Sequence, residues 1–537
     1  MRVDFGRLMH GLALVHGERE ALVNVERGRR YTYAQYHKLT NKIANMLGAS
    51  LGLGEGDKFL LILENDNLSL LQFPTYLKQK AVAAMANRRD AIDEHARQVE
   101  LIGPKAAFIE TVLVASHAEM LRQAGCAVIA MDPLDDDLCA RFPYVLQFWE
   151  LVDAASDAEA GVEVDVDRDI VLLRFTGGTT GRGKCASYTL ANWFGGRDSC
   201  LMNVDMGFDA DTRFLHAAPL SHGTQLFFMP TLFTGGASIT INGLDLATVI
   251  DLIQAEGITH SFLVPTILYR MLESQRKTPR KLGSLRTLIY GAAPISPDRL
   301  NELVECFGSI FVQAYAATEA VCVVCCLEKQ AHSTRTAEEA KRLSSAGRLT
   351  PGVEVVITDE AGRELPIGET GEIRIRSRAV IPGYFANPEA TASEFVNGFW
   401  RSGDLGCIDE KGFLYIVDRL KDMIISGGFN VYAGEVEVAL ATHPAVLNAA
   451  VVGLPHPDWG EAVHAEVQLR EGCTADELEI IAYMKARIGG YKAPKSVSFT
   501  DALPLSPVGK VLRRQVRDRV RQQREAHDEN DTKGNKP

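Results

Sequence analysis

Apolar residues recur along this chain with two spacings. Over residues 33–47 they fall three and four apart, which predicts a helix, and after a Gly-rich turn the apolar run 58–63 predicts a strand. Comparable apolar runs return at 105–109, 127–131, 258–264 and 285–290. Helical patterns alternating with short apolar runs imply an α/β fold with layered, largely parallel sheets. From 352 to 376 the pattern changes to strand-rich hairpins, with turns at Glu360-Ala361-Gly362 and around 368–371, so a β-rich subdomain is expected over about 350–420. Another shift follows Asp418-Arg419-Leu420-Lys421-Asp422. A helix over 434–441, a strand over 449–453 and a helix over 475–488 then predict a small α+β unit. The expected division is a large unit over 1–420, a small one over 421–517 and a disordered tail over 518–537, where charges alternate and the chain ends in polar residues.

Length and composition narrow the functional classes. A chain of 537 residues holds several cores, and 46% hydrophobic with 23% charged residues is the balance of a globular protein. A formal net charge of −12 argues against a nucleic-acid partner bound through a broad basic surface. No apolar run reaches the roughly 20 residues needed to span a bilayer, and residues 1–14 lack the pattern of a secretory signal, so a cytoplasmic location is expected. The ten cysteines show no disulfide-like spacing. Cys322, Cys325 and Cys326 form a tight cluster, but only His332 lies close by to complete a metal site, and they read as small buried hydrophobes on a strand. Homodimer formation is compatible with everything in the sequence.

The clearest chemistry follows the apolar strand 170–175. Thr176-Gly177-Gly178-Thr179-Thr180-Gly181-Arg182-Gly183-Lys184 combines glycines that let backbone N–H groups approach an anion, three hydroxyl donors and a cation: a phosphate loop. Residues 178–184 also satisfy GxxxxGK of P-loop NTPases, but the next residue is Cys185 where a magnesium-binding Ser or Thr belongs.

This loop resembles that of the ANL superfamily of adenylate-forming enzymes, which includes acyl-CoA synthetases. Further segments match that family in order: Pro219-Leu220-Ser221-His222, Tyr290-Gly291-Ala292-Ala293-Pro294, Gln313-Ala314-Tyr315-Ala316-Ala317-Thr318-Glu319, Tyr384, Arg401-Ser402-Gly403-Asp404, the 418–422 segment, Ser426-Gly427-Gly428 and 504–510. The resemblance implies an AMP-forming carboxylate:CoA ligase using ATP, Mg2+ and coenzyme A, with a large domain and a mobile small one. It implies that Lys510 supplies the cation where a carboxylate meets the α-phosphate, that Glu319 associates with magnesium, and that Thr318 lies near the α-phosphate. Tyr315 would stack on adenine, with Gly291, Ala292 and Ala293 as the other wall and Gln313 and Ala314 beside it. Asp404 would bind the ribose with help from Arg419. Lys421 would be the hinge that exchanges Lys510 for the Gly427-Gly428 loop, and His222 a gate to the acyl channel, although a structural role serves His222 equally well.

Some residues depart from the family pattern: Gly183 replaces the usual proline, Ala314 and Ala316 replace glycines, and Tyr432-Ala433-Gly434 stands where Tyr-Pro is frequent. Ala314 and Phe228 would narrow the acyl tunnel, favouring a medium-length fatty, aryl or alicyclic acid. Two other functions remain open: loading an acyl or aryl group onto a carrier protein, and P-loop-type NTP hydrolysis.

Overall fold

The computed structural model describes residues 1–176, 183–243, 245–293, 295–334, 336–505 and 511–534. Two large sheets and one small one organise the chain. The 8-stranded sheet runs Gly383–Tyr384, Cys185–Thr189, Ile170–Phe175, Val82–Met85, Lys58–Ile62, Ala106–Ile109, Ala127–Ala130, Leu146–Gln147. From Ile170–Phe175 to Leu146–Gln147 its neighbours pair in parallel. Buried on both faces, these strands are continuous apolar runs, as parallel strands must be.

The 14-stranded sheet has a parallel centre, Glu20–Asn24, Ala237–Thr240, Arg213–His216, His260–Leu263, Thr287–Gly291 and Phe311–Tyr315. The hairpins of the expected β-rich subdomain continue this sheet. Cys325–Leu327 pairs antiparallel with Phe311–Tyr315 and hands the ladder to Gly347–Leu349, Phe413–Arg419, Phe399–Ile408, Gly371–Ser377 and Val353–Thr358. The join depends on Gly347: its φ is 95°, and a Cβ there would stand 2.0 Å from the Cys326 carbonyl. Cys322, Cys325 and Cys326 are buried at this join, and the His332 imidazole meets the Tyr290 hydroxyl at 3.0 Å and the Glu328 carbonyl at 2.8 Å. The cluster is packing, as its apolar setting suggested.

The 5-stranded sheet belongs to the C-terminal part: Ile424–Ser426, Phe429–Val431, Val446–His456, Gly460–Leu469 and Ser496–Phe499. Helices Ala433–Leu440 and Glu477–Ile488 cover one face through Val436, Leu440, Ile480 and Met484. The other face is covered by the C-terminal segment. The backbone is helical over Arg513–Gly534, and Val516 and Val520 bury against Val452, Leu454 and Leu503. Two valines four residues apart make a one-turn apolar stripe, a signal easily lost in a segment of alternating charge.

Between the large and small sheets, Asp418 marks the crossing. It ends a strand of the large sheet, yet its carboxylate accepts from the Gly434 amide at 3.0 Å and from Arg513 at 3.1 Å. Arg513 also binds Asp422 at 3.0 Å and Glu437 at 2.7 Å, and these three acids hold its guanidinium firmly charged despite burial.

Candidate active site

The nucleotide-type residues gather where parallel strands end, the usual place for ligands in open α/β sheets. Thr287–Gly291 and Phe311–Tyr315 run side by side with Gly291 opposite Ala314. A Cβ on Gly291 would stand 2.2 Å from the Ala314 carbonyl oxygen, so only glycine permits this approach. Ala292 follows in a left-handed conformation, φ 67°, which turns the chain alongside Tyr315. Tyr315 donates its hydroxyl to Asp404 at 2.6 Å. Burial, joined by the Asp404 charge, holds the phenol's pKa far above its ordinary value, so it remains a donor. Asp404 is buried and faces Arg419 across the ladder, Nε to Oδ1 3.3 Å. The Tyr290 hydroxyl donates to the Gln313 side chain at 3.2 Å. One wall thus offers an aromatic face beside small residues, and a carboxylate held by a phenol and a guanidinium.

A second cluster lies at the phosphate loop. Thr176 and Lys184 close its neck, with the Thr176 amide donating to the Lys184 carbonyl at 2.8 Å and the Lys184 amide to Thr176 Oγ1 at 3.2 Å. Gly177, Gly178, Thr179, Thr180 and Gly181 lie outside the described residues, as does Lys510. Lys184 forms an ion pair with Glu394 and lies 4.5 Å from the centroid of the Tyr384 ring. The Tyr384 hydroxyl lies 2.6 Å from Glu394 Oε2 and 3.0 Å from Glu319 Oε1. Pairing of Tyr384 with Ala186 sets that ring beside the strand that begins at Cys185. Tyr188 donates to the Thr318 carbonyl at 2.8 Å, and the Ile381 amide to the Glu319 carbonyl at 2.9 Å, fixing the loop that presents Glu319. Desolvation raises the pKa of Glu319 against the opposing Tyr384 hydrogen bond. One phenolic proton serves only one of two carboxylates, leaving oxygen lone pairs turned towards oxygen. That donor set suits a hard divalent cation.

Lys421 connects both clusters. Partial desolvation, then the charge of Arg419, lowers its pKa to about 8 against the pull of Asp422 and Asp404, and Lys184 acts in the same direction as Arg419. The charges of Asp404, Arg419 and Lys184 thus all act on its ammonium, even though the residue is exposed. Gly427 and Gly428 lie elsewhere in this arrangement: the Gly427 amide donates to the Trp459 carbonyl at 2.9 Å, and Phe429 meets Tyr491 at 5.2 Å, both within the small unit. His222 is half-buried and directly precedes the short helix Gly223–Phe227.

Known proteins align with this geometry. The AMP-binding enzyme family matches residues 12–385, and the AMP-binding enzyme C-terminal domain matches residues 435–510. The chain is an AMP-binding enzyme. It is 38% identical over 428 residues to the medium/long-chain-fatty-acid–CoA ligase FadD8 of Mycobacterium tuberculosis, covering 78% of this chain and 72% of that one. A feruloyl-CoA synthase of Amycolatopsis sp. is 34% identical over 512 residues, 95% of this chain and 96% of the other. In three dimensions it superimposes on ATP-bound MatB from Rhodopseudomonas palustris with TM-score 0.83 at 28% identity, covering 96% and 99% of the two chains. The fold is that of the adenylate-forming ANL enzymes, a large N-terminal domain with a C-terminal domain, and the chain is an acid-activating ligase of the acyl-CoA synthetase type.

Within this AMP-binding enzyme, three residues that sequence reasoning passed over lie against expected site residues or their chain neighbours. Glu394, the partner of Lys184, closes the helix Pro388–Glu394; its sequence signal was only a lone acid ten residues after Tyr384. Arg174 is 4% exposed, donates to the Ser221 carbonyl at 3.0 Å and faces the Tyr188 ring at 5.8 Å. A charge inside an apolar strand was the available clue. Phe262 is half-buried beside both Gly223 and Gly291: a Cβ on either glycine would lie 3.6 or 3.8 Å from its ring. Nothing in the sequence distinguishes it from a core phenylalanine.

Away from this cleft, His10, His37 and Glu159 are the group of described residues with metal-ligand spacing. The buried Lys78 ammonium stands 3.2 Å from His37 Nδ1 and donates to Thr40 and Asn41. His37 Nε2 meets the Glu159 carboxylate at 3.1 Å. This group is a hydrogen-bonded relay between helices. No helix among the described residues is long and apolar enough to cross a membrane.

Proposed function

We propose that this enzyme joins a medium-length fatty, aryl or alicyclic acid to coenzyme A through an acyl-adenylate, releasing AMP and pyrophosphate. The observation that supports the reading is the nearness of two clusters: Tyr315, bonded to Asp404 beside Arg419, precedes by four residues Glu319, which meets the Tyr384 hydroxyl beside the Lys184–Glu394 pair. Adenine would stack on Tyr315 against Gly291, Ala292 and Ala293. The ribose hydroxyls would donate to Asp404, an anionic acceptor already held in place by Arg419. Lys184 and the threonines of the phosphate loop would hold the β- and γ-phosphates. Glu319 would hold Mg2+, which supplies neutralising charge to the phosphates.

In the first half-reaction a carboxylate oxygen of the acid forms a bond to the α-phosphorus, and the bond to pyrophosphate breaks. Two anions must meet, so Lys510 would supply the local cation. In the second, a thiolate attacks the acyl carbon and AMP leaves with the electron pair of the broken anhydride. Cys185, the thiol next to Lys184, cannot take this part, since it is buried and desolvation pushes its pKa up to about 12. The thiol would be that of coenzyme A.

Phe262, which meets Phe227 at 5.5 Å and lies beside Gly223 and Gly291, would line the site of the acid. The buried thiols suit the reducing cytosol. A pyrophosphate-release screen over carboxylic acids, with and without coenzyme A, tests the proposal. Acid-dependent AMP and pyrophosphate support it, and formation of ADP and phosphate refutes it.

A further inference from the structure

Four side chains at the phosphate loop share one proton and two or more charges in a way that nucleotide binding must disturb. Lys184 lies over the Tyr384 ring at 4.5 Å and is ion-paired with Glu394, while the Tyr384 hydroxyl stands 2.6 Å from Glu394 and 3.0 Å from Glu319. Lys184 is the cation a triphosphate would claim, and Glu319 is the carboxylate a metal ion would claim. Glu394 is neither. It enters the cluster only because the helix Pro388–Glu394 is anchored against Tyr384, whose amide donates to Thr391 at 3.0 Å, and is capped by Asn387, which accepts from the Ala390 amide at 3.0 Å.

We infer that Glu394 is a positioning residue that parks Lys184 over Tyr384 in the nucleotide-free enzyme and competes with the polyphosphate for its ammonium. The inference rests on the adenylate-forming reading of the cleft. An ammonium has three donors and a compact charge, and it cannot give full charge-assisted bonds to Glu394 and to phosphate oxygens lying in another direction. When ATP enters, Lys184 leaves Glu394, which keeps the Tyr384 hydroxyl as its donor and so is not stranded. When pyrophosphate departs, Glu394 recaptures Lys184. The competition therefore weakens the enzyme's hold on ATP and on pyrophosphate alike, and it favours release of the first product. No bond is made or broken in this exchange.

Lys184 and Glu394 side chains are each 29% exposed, so water screens the pair and the competition is modest. Removing the charge with Glu394→Gln, which keeps an acceptor for Tyr384, is expected to tighten binding of Mg2+-pyrophosphate and of a non-hydrolysable ATP analogue about fivefold. Adenosine binding should not change. Calorimetric titration of the purified full-length enzyme reads these affinities without turnover, and circular dichroism melting checks the fold. Glu394→Ala replaces the Gln variant if the latter fails to fold.

The decisive control is the same substitution in a Lys184→Met background, where tightening should shrink to less than about twofold. Unchanged or weaker pyrophosphate binding in Glu394→Gln overturns the inference. So does equal tightening with and without Lys184, which would reduce the effect to bulk charge. If wild-type enzyme releases no pyrophosphate from ATP with any acid, the functional reading fails first. If wild type is active and Glu394→Gln binds no tighter, only the role of Glu394 fails.

Discussion

Replacing Asp404 by asparagine tests the nucleotide wall with the least damage to the fold. In the free enzyme Asp404 accepts from Tyr315 at 2.6 Å and faces Arg419 at 3.3 Å, with 7% of its surface exposed. Asparagine has the same shape and keeps one acceptor oxygen, so Tyr315 retains a partner and folding should survive. Ribose binding should not. Two sugar hydroxyls need two acceptor positions, and the amide turns one of them into a donor. A hydrogen bond to a charged acceptor contributes about 1.5–3 kcal/mol, so ATP affinity should fall roughly 10- to 150-fold. The assay is equilibrium binding of ATP and of 3′-deoxy-ATP to both proteins. Wild type should distinguish the two nucleotides by a similar factor, and in Asp404→Asn the gap should close to about threefold or less. An undiminished gap in the variant would show that Asp404 does not hold the ribose and would dismantle the placement of adenine on Tyr315.

Lys510→Ala is expected to slow acyl-adenylate formation about a thousandfold, the worth of a unit charge about 4 Å away at an effective dielectric near 20, while a supplied acyl-adenylate is still converted to the thioester. Equal loss in both steps contradicts that division of labour. Arg513→Met strands Asp418, 3% exposed, together with Asp422 and Glu437, so thermal stability should drop by about 3–5 kcal/mol and proteolysis should increase near residues 418–434; an unchanged melting curve counts against the clamp. Burial lowers the pKa of His216 to about 3 and of His260 and His332 to about 4, so these rings stay neutral when folded but take protons near 6.5 when unfolded. Their contribution to stability is present above pH 6.5 and is lost as pH falls towards 4, at up to about 1.4 kcal/mol per pH unit for each ring. Denaturant titrations at pH 7.5, 6.5 and 5.5 should show the decline, and a flat profile refutes it.

Much of the fold was legible because parallel strands buried on both faces must be apolar runs. The strand Ile170–Phe175 falls where its run was read, and the helix Glu477–Ile488 differs from its prediction only at the first turn. What could not be read was pairing at a distance. The junction at Gly347 that fuses the hairpins to the central sheet depends on close approach to Cys326, a residue 21 positions earlier, and no local pattern records it. The site divides the same way. Asp404, Tyr315 and Glu319 stood out through short motifs, whereas Glu394 and Phe262 acquire their meaning only from neighbours far away in the chain, Lys184 in one case and Gly223 and Gly291 in the other.

The hinge illustrates how such long-range contacts add mechanism to a motif. The Leu420 amide donates to the Gly403 carbonyl at 2.8 Å, which ties that residue to the large unit just before Lys421. Asp422, on the other side, is held by Arg513 of the small unit. The proposed hinge would turn between these two ties, on the backbone around Lys421. Asp418 complicates the motion, because it belongs to the large sheet yet accepts from Gly434 and Arg513 of the small unit. Any large rotation at Lys421 must break those two bonds and uncover a buried carboxylate, so this arrangement of the units is latched rather than merely occupied. Replacing the latch contacts with new ones on the far side of the swing is the condition for a second stable arrangement.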